Sequence, residues 1–296
     1  MSKVVILILN YNKVNDLIEC LESIFRLDYS SFEIVITDNG STDGSPDEVQ
    51  KRFQNIHVIR LPENLGIVKA RIVGTEFVKS NFIFDYLLFL DNDTILQPNF
   101  LNEIIGGFAI DKETGIACGK AFTNFASKII MSAGVRVNLF TGKIEDRGYG
   151  QLDNGQYDSI SEVDASGGFG FLISRDALLS AGEFDKRYSF YGWEDIDFCF
   201  KVKKKGYKIL FIPSAVMCHK GTKLGRGPKP EYERSKVKNY FLFLRIHTNL
   251  IQKLTCFFII PFRALFLFLK LIRDGHTYII FQQIKGLFDS IKKRKE

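Results

Sequence analysis

Two carboxylates close an apolar run in the stretch Tyr86-Leu87-Leu88-Phe89-Leu90-Asp91-Asn92-Asp93. A short apolar run of this kind predicts a buried strand. In an open α/β sheet, ligands collect at the carboxyl ends of the strands, and Mg²⁺ or Mn²⁺ takes oxygen ligands from carboxylates and phosphates. The stretch therefore predicts a divalent-metal site for a phosphate-bearing ligand, and the alternative is a turn closed by aspartate hydrogen bonds.

The first 119 residues alternate short apolar runs with stretches of helical periodicity. This alternation predicts βαβ units and a mainly parallel sheet. The predicted strands are Val4–Leu9, Phe32–Thr37, His57–Leu61 and Tyr86–Leu90, and the predicted helices run through 17–25, 67–78 and 100–108. Turn residues follow each strand, so polar groups are expected to meet at one edge of the sheet.

The second part of the chain gives weaker signals. We predict a strand over 128–135, a polar loop over 151–159, and helices over 176–181 and 196–205. A further strand over 206–213 is predicted to end at its proline. The stretch 221–230 is rich in Gly, Lys and Pro, which favours a loop over a site.

Composition bounds the class of protein. With 46% apolar and 25% charged residues, the 296-residue chain is expected to fold as one large domain or one and a half. Its five cysteines have no CxxC spacing, which favours a reducing cytosol over a zinc site or a disulfide framework. The amino terminus is interpreted as a first buried strand and not as a secretory signal.

The positive charge of the chain belongs to its last part. Residues 236–296 carry 12 Lys or Arg against 3 Asp or Glu. These charges alternate with Phe, Leu and Ile, which favours an anionic membrane surface over nucleic acid. The apolar segment 254–272 is interrupted by Pro261, Arg263 and Lys270, so an interfacial helix flanked by the basic cluster 292–295 is expected, not a spanning one. The alternative is a pair of core helices that pack on the sheet or on a second subunit, as in a homodimer.

Several motifs occur in a fixed order along residues 4–219. They are Ile8-Leu9-Asn10-Tyr11-Asn12, Asp38-Asn39-Gly40-Ser41-Thr42-Asp43-Gly44-Ser45, Glu63-Asn64-Leu65-Gly66, Asp91-Asn92-Asp93, Gly182-Glu183-Phe184-Asp185-Lys186-Arg187-Tyr188, Glu194-Asp195-Ile196-Asp197-Phe198-Cys199, Gly206-Tyr207, Pro213-Ser214-Ala215 and His219. This series resembles the inverting family 2 glycosyltransferases, and its later motifs resemble their bacterial and archaeal rhamnosyltransferase branch.

The resemblance implies an α/β GT-A fold, in which two abutting Rossmann-like halves surround a mainly parallel mixed sheet. Residues 1–235 would form this domain, with a nucleotide-binding half at 1–119 and an acceptor half at 120–235. Residues 236–296 would form a helical tail that associates with a membrane or with a second subunit.

The resemblance also implies roles for individual residues. Asp93 and His219 would hold Mn²⁺ or Mg²⁺. Binding of the nucleotide and donor sugar would fall to Asn10, Tyr11, Asn12, Asp38, Asn64, Gly66, Arg71, Asp91 and Asn92. Ile72 departs from the family's Ala-Arg-Asn signature, which puts one donor contact in doubt.

The reaction needs a group that accepts the proton of the attacking hydroxyl. The resemblance places Asp195 in this role, with Glu194 as its neighbour in the Glu-Asp pair, and it implies a single inverting displacement. Trp193 closes an aromatic stretch suited to a sugar face, and Gly167 and Gly168 resemble the family's glycine loop beside donor and acceptor.

The implied activity is transfer of a sugar from a UDP- or dTDP-linked donor, with dTDP-rhamnose among the candidates. The acceptor would be a hydroxyl of a growing surface glycan or of a lipid-linked oligosaccharide, at the cytoplasmic face of the cell membrane. One alternative is transfer to a polyprenyl phosphate, whose ionised oxygen needs no base. Another is a catalytically silent glycan-binding scaffold. A nucleotidyltransferase is disfavoured, because no glycine-rich basic phosphate loop follows the first strand.

Overall fold

The computed structural model of the chain describes residues 1–188, 190–221 and 230–291. The basic cluster 292–295 and all but the two end residues of the loop predicted over 221–230 therefore lie outside the described residues. The strands are β1 (Val4–Asn10), β2 (Phe32–Asp38), β3 (Ile56–Arg60), β4 (Tyr86–Asp91), β5 (Thr94–Leu96), β6 (Thr114–Phe122), β7 (Ile130–Ser132), β8 (Val135–Asn138), β9 (Lys143–Asp146), β10 (Ser161–Glu162), β11 (Gly170–Ser174) and β12 (Lys208–His219).

Helices flank both faces of the sheet. They are α1 (Val14–Ile24), α2 (Ser45–Arg52), α3 (Ile67–Asn81), α4 (Phe100–Ile110), α5 (Arg175–Ala181), α6 (Glu194–Lys204), α7 (Pro230–His247), α8 (Leu250–Arg273) and α9 (Thr277–Ile291).

The main sheet has the order β10-β12-β6-β11-β4-β1-β2-β3. Strands β4, β1, β2 and β3 are parallel, and β11 joins them antiparallel to both β4 and β6. Side chains of β1 alternate between two buried clusters: Ile6 and Ile8 pack with α1 and α4, while Val5 and Leu7 pack with α3 and α6. Burial on both faces explains why these strands are continuously apolar.

The four predicted strands of the first half are present within a residue of their expected ends. Helix α2 is absent from the prediction, which treated this region as a turn only. It follows Gly44, whose φ of 80° turns the chain, and begins at Ser45 with Pro46 in its first turn. Because α2 is mostly polar and buries only Ser45, Pro46 and Val49, its sequence has too few apolar residues to mark a helix.

Strand β12 corrects the prediction that this strand ends at Pro213. The strand continues to His219, and its register against β6 shifts between Ile212 and Val216. Proline lacks an N–H donor and is tolerated at such a bulge. The continuation is what carries His219 to the end of β5, where it pairs with Thr94.

The strand predicted over 128–135 is divided into β7 and the start of β8. Gly134, with a φ of 85°, separates them. Strand β7 pairs with β6, whereas β8 forms a separate hairpin with β9. One predicted strand is therefore two short strands in different sheets.

The last two helices expose their apolar residues. Among the side chains that α8 and α9 leave accessible, Phe257 is 72% exposed, Phe266 73% and Phe288 62%. By length and composition α8 could cross a membrane, and 6% of its most apolar window is buried. The alternative of core helices packed on the sheet therefore does not describe α8.

All five cysteines, Cys20, Cys118, Cys199, Cys218 and Cys256, are buried free thiols. This agrees with the absence of a disulfide pattern in the sequence.

Candidate active site

Three potential metal ligands meet where β4, β5 and β12 come together. One ligand atom from each of Asp91, Asp93 and His219 lies within 4.8 Å of the others. His219 Nε2 is 3.0 Å from Asp93 Oδ1 and 3.8 Å from Asp91 Oδ2. We call these three residues the metal cluster. The predicted pair Asp93 and His219 is thus brought together, with Asp91 beside it.

Asp93 is held in its ionised form. Burial raises the pKa of this carboxyl, but the hydrogen bond and charge of His219, together with Lys13, outweigh burial and lower the pKa well below its usual value. Lys13 Nζ lies 2.6 Å from Asp93 Oδ2. The His219 ring stacks on Phe169, with centroids 4.6 Å apart, which fixes the plane of the imidazole.

The donor set fits a divalent cation. Carboxylate oxygens and an imidazole nitrogen suit Mn²⁺ well, and the carboxylates suit Mg²⁺. His219 Nδ1 is buried and has no hydrogen-bond partner among the described residues. A negative cluster at a strand end can therefore bind a metal that also contacts phosphate oxygens.

Arg71, on helix α3, links β4, helix α6 and the segment of Gly168 at this site. Its side chain is 4% exposed, and its guanidinium donates to Glu194 Oε1 at 3.0 Å, to the Gly168 carbonyl at 3.0 Å and to Asp91 Oδ1 at 3.4 Å. Burial raises the pKa of Asp91, the charge of Arg71 opposes this effect, and the neighbouring carboxylates Asp93 and Asp195 add to it. Arg71 was predicted to contact the donor; the structure shows it ion-paired inside the protein, and the donor contact stays a prediction.

Glu194 and Asp195 have different environments. Glu194 is 4% exposed and tied to Arg71; burial and the neighbouring Asp195 raise its pKa, against the opposing charge of Arg71. Asp195 is half-buried, and its Oδ2 accepts the Gly168 N–H at 2.7 Å. Of the two carboxylates, Asp195 is therefore the one accessible to an acceptor, while Glu194 is placed to hold Arg71.

Residues predicted to bind the nucleotide form a hydrogen-bonded frame. Asn10 donates to Asp38 Oδ1 at 2.7 Å, and Asn92 donates to Asn10 Oδ1 at 2.6 Å and to the Asn12 carbonyl at 2.9 Å. Asp38 also accepts from the Ser41 hydroxyl and N–H. Asp38 thus orders the loop after β2, and its contact with a base stays a prediction.

Tyr11, Asn64 and Gly66 lie beside this frame. Tyr11 is 44% exposed. Asn64 accepts from Asn39 at 3.0 Å and from the Gly66 N–H at 2.9 Å. Gly66 has a φ of 82°, and a Cβ there would lie 3.2 Å from the Phe190 backbone. The close approach at Gly66 is therefore with the segment that precedes α6.

The glycines of the second half lie against the catalytic candidates. A Cβ on Gly168 would lie 2.2 Å from the Arg71 guanidinium, and one on Gly167 would meet the Phe169 ring. Trp193, with a φ of 72°, is the residue before α6. Gly168 thus lies against Arg71 and Asp195, Trp193 lies two residues before Asp195, and Gly167 lies against the Phe169 ring that stacks on His219.

Two residues of the site were not predicted. Lys13 follows the predicted Asn12 directly, so its position after β1 could have suggested it. Asp146 ends β9; burial and the nearby Asp195 raise its pKa to about 6, against Ser132 and His219. Nothing in the local sequence of Asp146 distinguishes it from other polar hairpin residues.

Comparison with known proteins agrees with this geometry. The family described as "Glycosyl transferase family 2" matches residues 5–172. A poly-beta-1,6-N-acetyl-D-glucosamine synthase of Staphylococcus aureus (strain MSSA476) is 27% identical over 213 residues, which are 70% of this chain and 47% of that protein. The glycosyltransferase GlyA of Streptococcus pneumoniae serotype 4 is 31% identical over 125 residues, 41% of this chain and 17% of that protein. The chain thus spans about half the length of the Staphylococcus aureus relative and a smaller part of the Streptococcus pneumoniae one.

Two solved structures share the fold. GalNAc-T7 with UDP, GalNAc and Mn²⁺ superimposes with a TM-score of 0.64 at 17% identity, covering 83% of this chain and 48% of that one. The mannosyltransferase PcManGT from Pyrobaculum calidifontis, in complex with GDP-Man and Mn²⁺, has a TM-score of 0.64 at 15% identity and covers 99% of this chain and 88% of its own. The predicted fold class, including the helical tail, is confirmed.

Proposed function

The chain belongs to glycosyl transferase family 2, and from this premise we propose that it is a metal-dependent inverting transferase that moves a sugar from a nucleotide donor to an acceptor hydroxyl. The observation that carries the proposal is the metal cluster at one edge of the sheet with a half-buried carboxylate, Asp195, beside the glycine loop. Different residues then serve the two requirements of the reaction. The metal cluster serves the departure of the diphosphate, and Asp195 serves the removal of the hydroxyl proton.

Asp91, Asp93 and His219 would hold the divalent ion. When bound, this ion supplies Lewis-acid stabilisation of the charge on the departing diphosphate. Lys13 places a further positive charge beside the Asp93 carboxylate. Because the diphosphate and the ligands Asp91 and Asp93 are all negative, the charge of Lys13 reduces the repulsion that the donor meets.

Asp195 would accept the proton of the attacking hydroxyl. As the acceptor oxygen bonds to the anomeric carbon, the bond from that carbon to the diphosphate oxygen breaks, and the hydroxyl proton moves to the Asp195 carboxylate. The Gly168 N–H fixes Oδ2 of this carboxylate. A single displacement from the side opposite the leaving group inverts the anomeric configuration.

The donor is proposed to be a UDP- or dTDP-sugar, with dTDP-rhamnose as one candidate. The ordered frame of Asn10, Asp38 and Asn92 supports a nucleotide site after β1 and β2. The structural neighbours were solved with UDP in one case and GDP-Man in the other. The choice of nucleotide is therefore the first quantity to measure.

The acceptor is proposed to be a surface glycan or a lipid-linked oligosaccharide at the cytoplasmic face of the cell membrane. Support comes from the exposed apolar side chains of α8 and α9, which are interspersed with Lys253, Arg273 and Lys285. Apolar and basic residues together favour an anionic bilayer surface. A homodimer would cover the same face. Binding to nucleic acid would leave the apolar side chains of α8 and α9 without an apolar partner.

Transfer to a polyprenyl phosphate remains the alternative reaction. That acceptor is already ionised and would not require Asp195. Asp195→Asn discriminates between the two, because a hydroxyl acceptor loses its base and a phosphate acceptor does not.

The test of the proposed function is thermal unfolding of the purified protein with UDP, dTDP or GDP, each with Mn²⁺ and with EDTA. A ligand at a hundredfold excess over its Kd stabilises the native state by about 2.7 kcal/mol. Asp93→Ala should abolish the metal-dependent part, whereas Asp28→Ala, a change at an exposed aspartate remote from the cluster, should retain it.

Stabilisation by one of the nucleotides would support the proposal if it requires both Mn²⁺ and Asp93. It would also identify the nucleobase of the donor. If no nucleotide stabilises the wild type, the silent scaffold becomes the better description. Equal stabilisation in EDTA would contradict a role for the metal cluster in donor binding.

A further inference from the structure

The segment that precedes the Asp195 helix has an unusual backbone. We call Phe190, Tyr191, Gly192 and Trp193 the acceptor loop. Phe190 has a φ of 47°, Gly192 of 92° and Trp193 of 72°. A residue other than glycine at positive φ costs free energy and persists only when its surroundings hold it there. The acceptor loop therefore needs an external support.

Helix α7 supplies that support through Asn239. This asparagine is fully buried, and its Nδ2 donates to the carbonyl oxygens of Tyr191 and Gly192, both at 3.1 Å. One side-chain amide thus satisfies two successive carbonyls of the loop. Two hydrogen bonds from one rigid group fix the direction of the peptide between them.

A second contact reaches the last residue of the loop. The indole Nε1–H of Trp193 donates to the Lys236 carbonyl at 2.8 Å, one turn before Asn239 on α7. The Trp193 ring also lies against Tyr240, with centroids 5.8 Å apart. Trp193 is therefore held by α7 through both its polar and its apolar part.

A third contact holds helix α6 itself. His247 Nε2 lies 2.7 Å from Asp197 Oδ1, and both side chains are 1% exposed. The Tyr188 hydroxyl donates to the same oxygen at 3.1 Å. Asp197 is two residues beyond Asp195, so the pair fixes the first turn of the helix that carries the proposed base.

These contacts come from one face of α7. They involve positions i, i+3, i+4, i+7 and i+11 of one helical face, which are Lys236, Asn239, Tyr240, Phe243 and His247. Another part of α7 packs on α9: Arg234 Nε lies 2.7 Å from Asp289 Oδ2, and a Cβ on Gly286 would lie 2.4 Å from the Arg234 carbonyl oxygen. Helix α7 thus lies between the acceptor loop and the tail.

We propose that α7 is the positioning element for the acceptor side of the active site, with Asn239 and His247 as positioning residues. Asn239 sets the acceptor loop, His247 sets the first turn of α6, and together they place Trp193 and the Asp195 carboxylate. This inference rests on the proposed function for the meaning of Asp195, but its structural part is independent of any substrate. The metal cluster is carried by β4, β5 and β12, so donor binding does not depend on α7 in the same way.

The experiment uses the full chain and its single tryptophan. Trp193 is the only tryptophan in the sequence, so quenching of its fluorescence by acrylamide reports on the acceptor loop without any substrate. In Asn239→Ala we expect quenching to increase severalfold. Turnover should fall by about tenfold to hundredfold, the loss typical of a small misplacement of catalytic groups, while the Mn²⁺-dependent nucleotide affinity stays at the wild-type value.

A matched control is Asn81→Ala. Asn81 is an exposed asparagine whose Nδ2 donates to the Phe77 carbonyl at 2.8 Å, at the end of α3. It should change neither quenching nor turnover. Because Asn239 is buried and its truncation can reduce folding, His247 gives a second pair: His247→Ala should lower turnover, and His247→Gln, which keeps a nitrogen donor for Asp197, should restore part of it.

Two results would overturn the proposal. One is wild-type quenching and turnover in both Asn239→Ala and His247→Ala. The other is an equal loss of nucleotide affinity and turnover, which would mean that α7 supports the whole domain and not the acceptor side. If the wild type transfers no sugar, the proposed function fails, while the quenching result still decides whether α7 holds the loop.

Discussion

The polar edge of the sheet and the tail helices are each unfavourable in water for a different reason. At the edge, Arg71, Asp93 and Glu194 bury charged side chains that are 5% exposed or less. In α8, Phe257 and Phe266 expose most of their apolar surface to solvent. Buried charge and exposed apolar surface are both unfavourable in water.

The two regions differ in what offsets the buried charge at the edge and the exposed apolar surface of the tail. At the edge, the protein supplies the counter-charges: Arg71 faces Glu194, and Lys13 faces Asp93, which also lies 3.0 Å from His219 Nε2. On the outer side of α8 and α9, the described residues provide no comparable cover. The edge is therefore organised before its ligand arrives, whereas the described residues leave the apolar side chains of the tail uncovered.

The largest expected effect is at the edge and separates its two functions. Asp195→Asn should retain metal-dependent nucleotide binding and lose transfer by roughly 10²- to 10⁴-fold, the usual contribution of a general base. Asp93→Ala should lose both. Nucleotide titration and initial rates of transfer measure the split, and wild-type rates in both variants would contradict the assignment of the site.

Arg71→Ala tests whether the edge is balanced from within. Its removal leaves the buried carboxylate of Glu194 and the half-buried one of Asp91 without their main counter-charge, which should lower the free energy of unfolding by about 3 kcal/mol. Urea unfolding measures this loss. Arg26→Ala, at an exposed arginine of the first half, is the control and should remain near the wild type.

The tail is tested by Phe266→Ser, which should weaken binding to vesicles of phosphatidylcholine and phosphatidylglycerol. Burial of one Phe side chain is worth about 2 kcal/mol, or roughly thirtyfold in the partition coefficient. Vesicle sedimentation provides the measurement. Ile83→Ser removes an apolar side chain that is 86% exposed elsewhere and should have no effect. If Phe266→Ser instead lowers only the self-association of the protein, the face belongs to a dimer.

The last prediction concerns Asp146, whose pKa is raised, whereas the pKa of Asp93 is lowered by its partners. Because the pKa of Asp146 is raised to about 6, the folded state binds its proton more tightly than the unfolded state. Its contribution to stability is present at low pH and is lost as the pH rises through 6. Asp146→Asn should therefore be more stable than the wild type at pH 7, by at most about 3 kcal/mol for a shift of about two pKa units, and the difference should approach zero as the pH falls below 4. Chemical unfolding at several pH values measures this difference, and a difference that is constant with pH would contradict it.

The sequence predicted what depends on local pattern. Apolar runs located β1, β2 and β4, and the polar residues that end them include Asp91 and Asp93, which lie together with His219. Helix α2 was missed because it is mostly polar and has few apolar residues to mark a helix. The bulge in β12 was missed because a proline in a predicted strand was interpreted as the end of the strand.

Contacts between distant segments could not be predicted in this way. The partners of Arg71 lie 20, 97 and 123 residues away along the chain. The same holds for Asn239, whose carbonyl partners belong to a loop 47 and 48 residues earlier. Such contacts depend on how the helices pack on the sheet, which no local motif encodes.

The burial of every cysteine makes this chain convenient for site-directed labelling. A thiol reacts as its thiolate, and burial raises the pKa of Cys118 to about 12 and that of Cys218 to about 11. A single cysteine introduced at an exposed position of α8 would therefore be the reactive thiol in a native background. A spin label or an environment-sensitive dye at that position could measure the depth and tilt of the helix in a bilayer without removal of any natural cysteine.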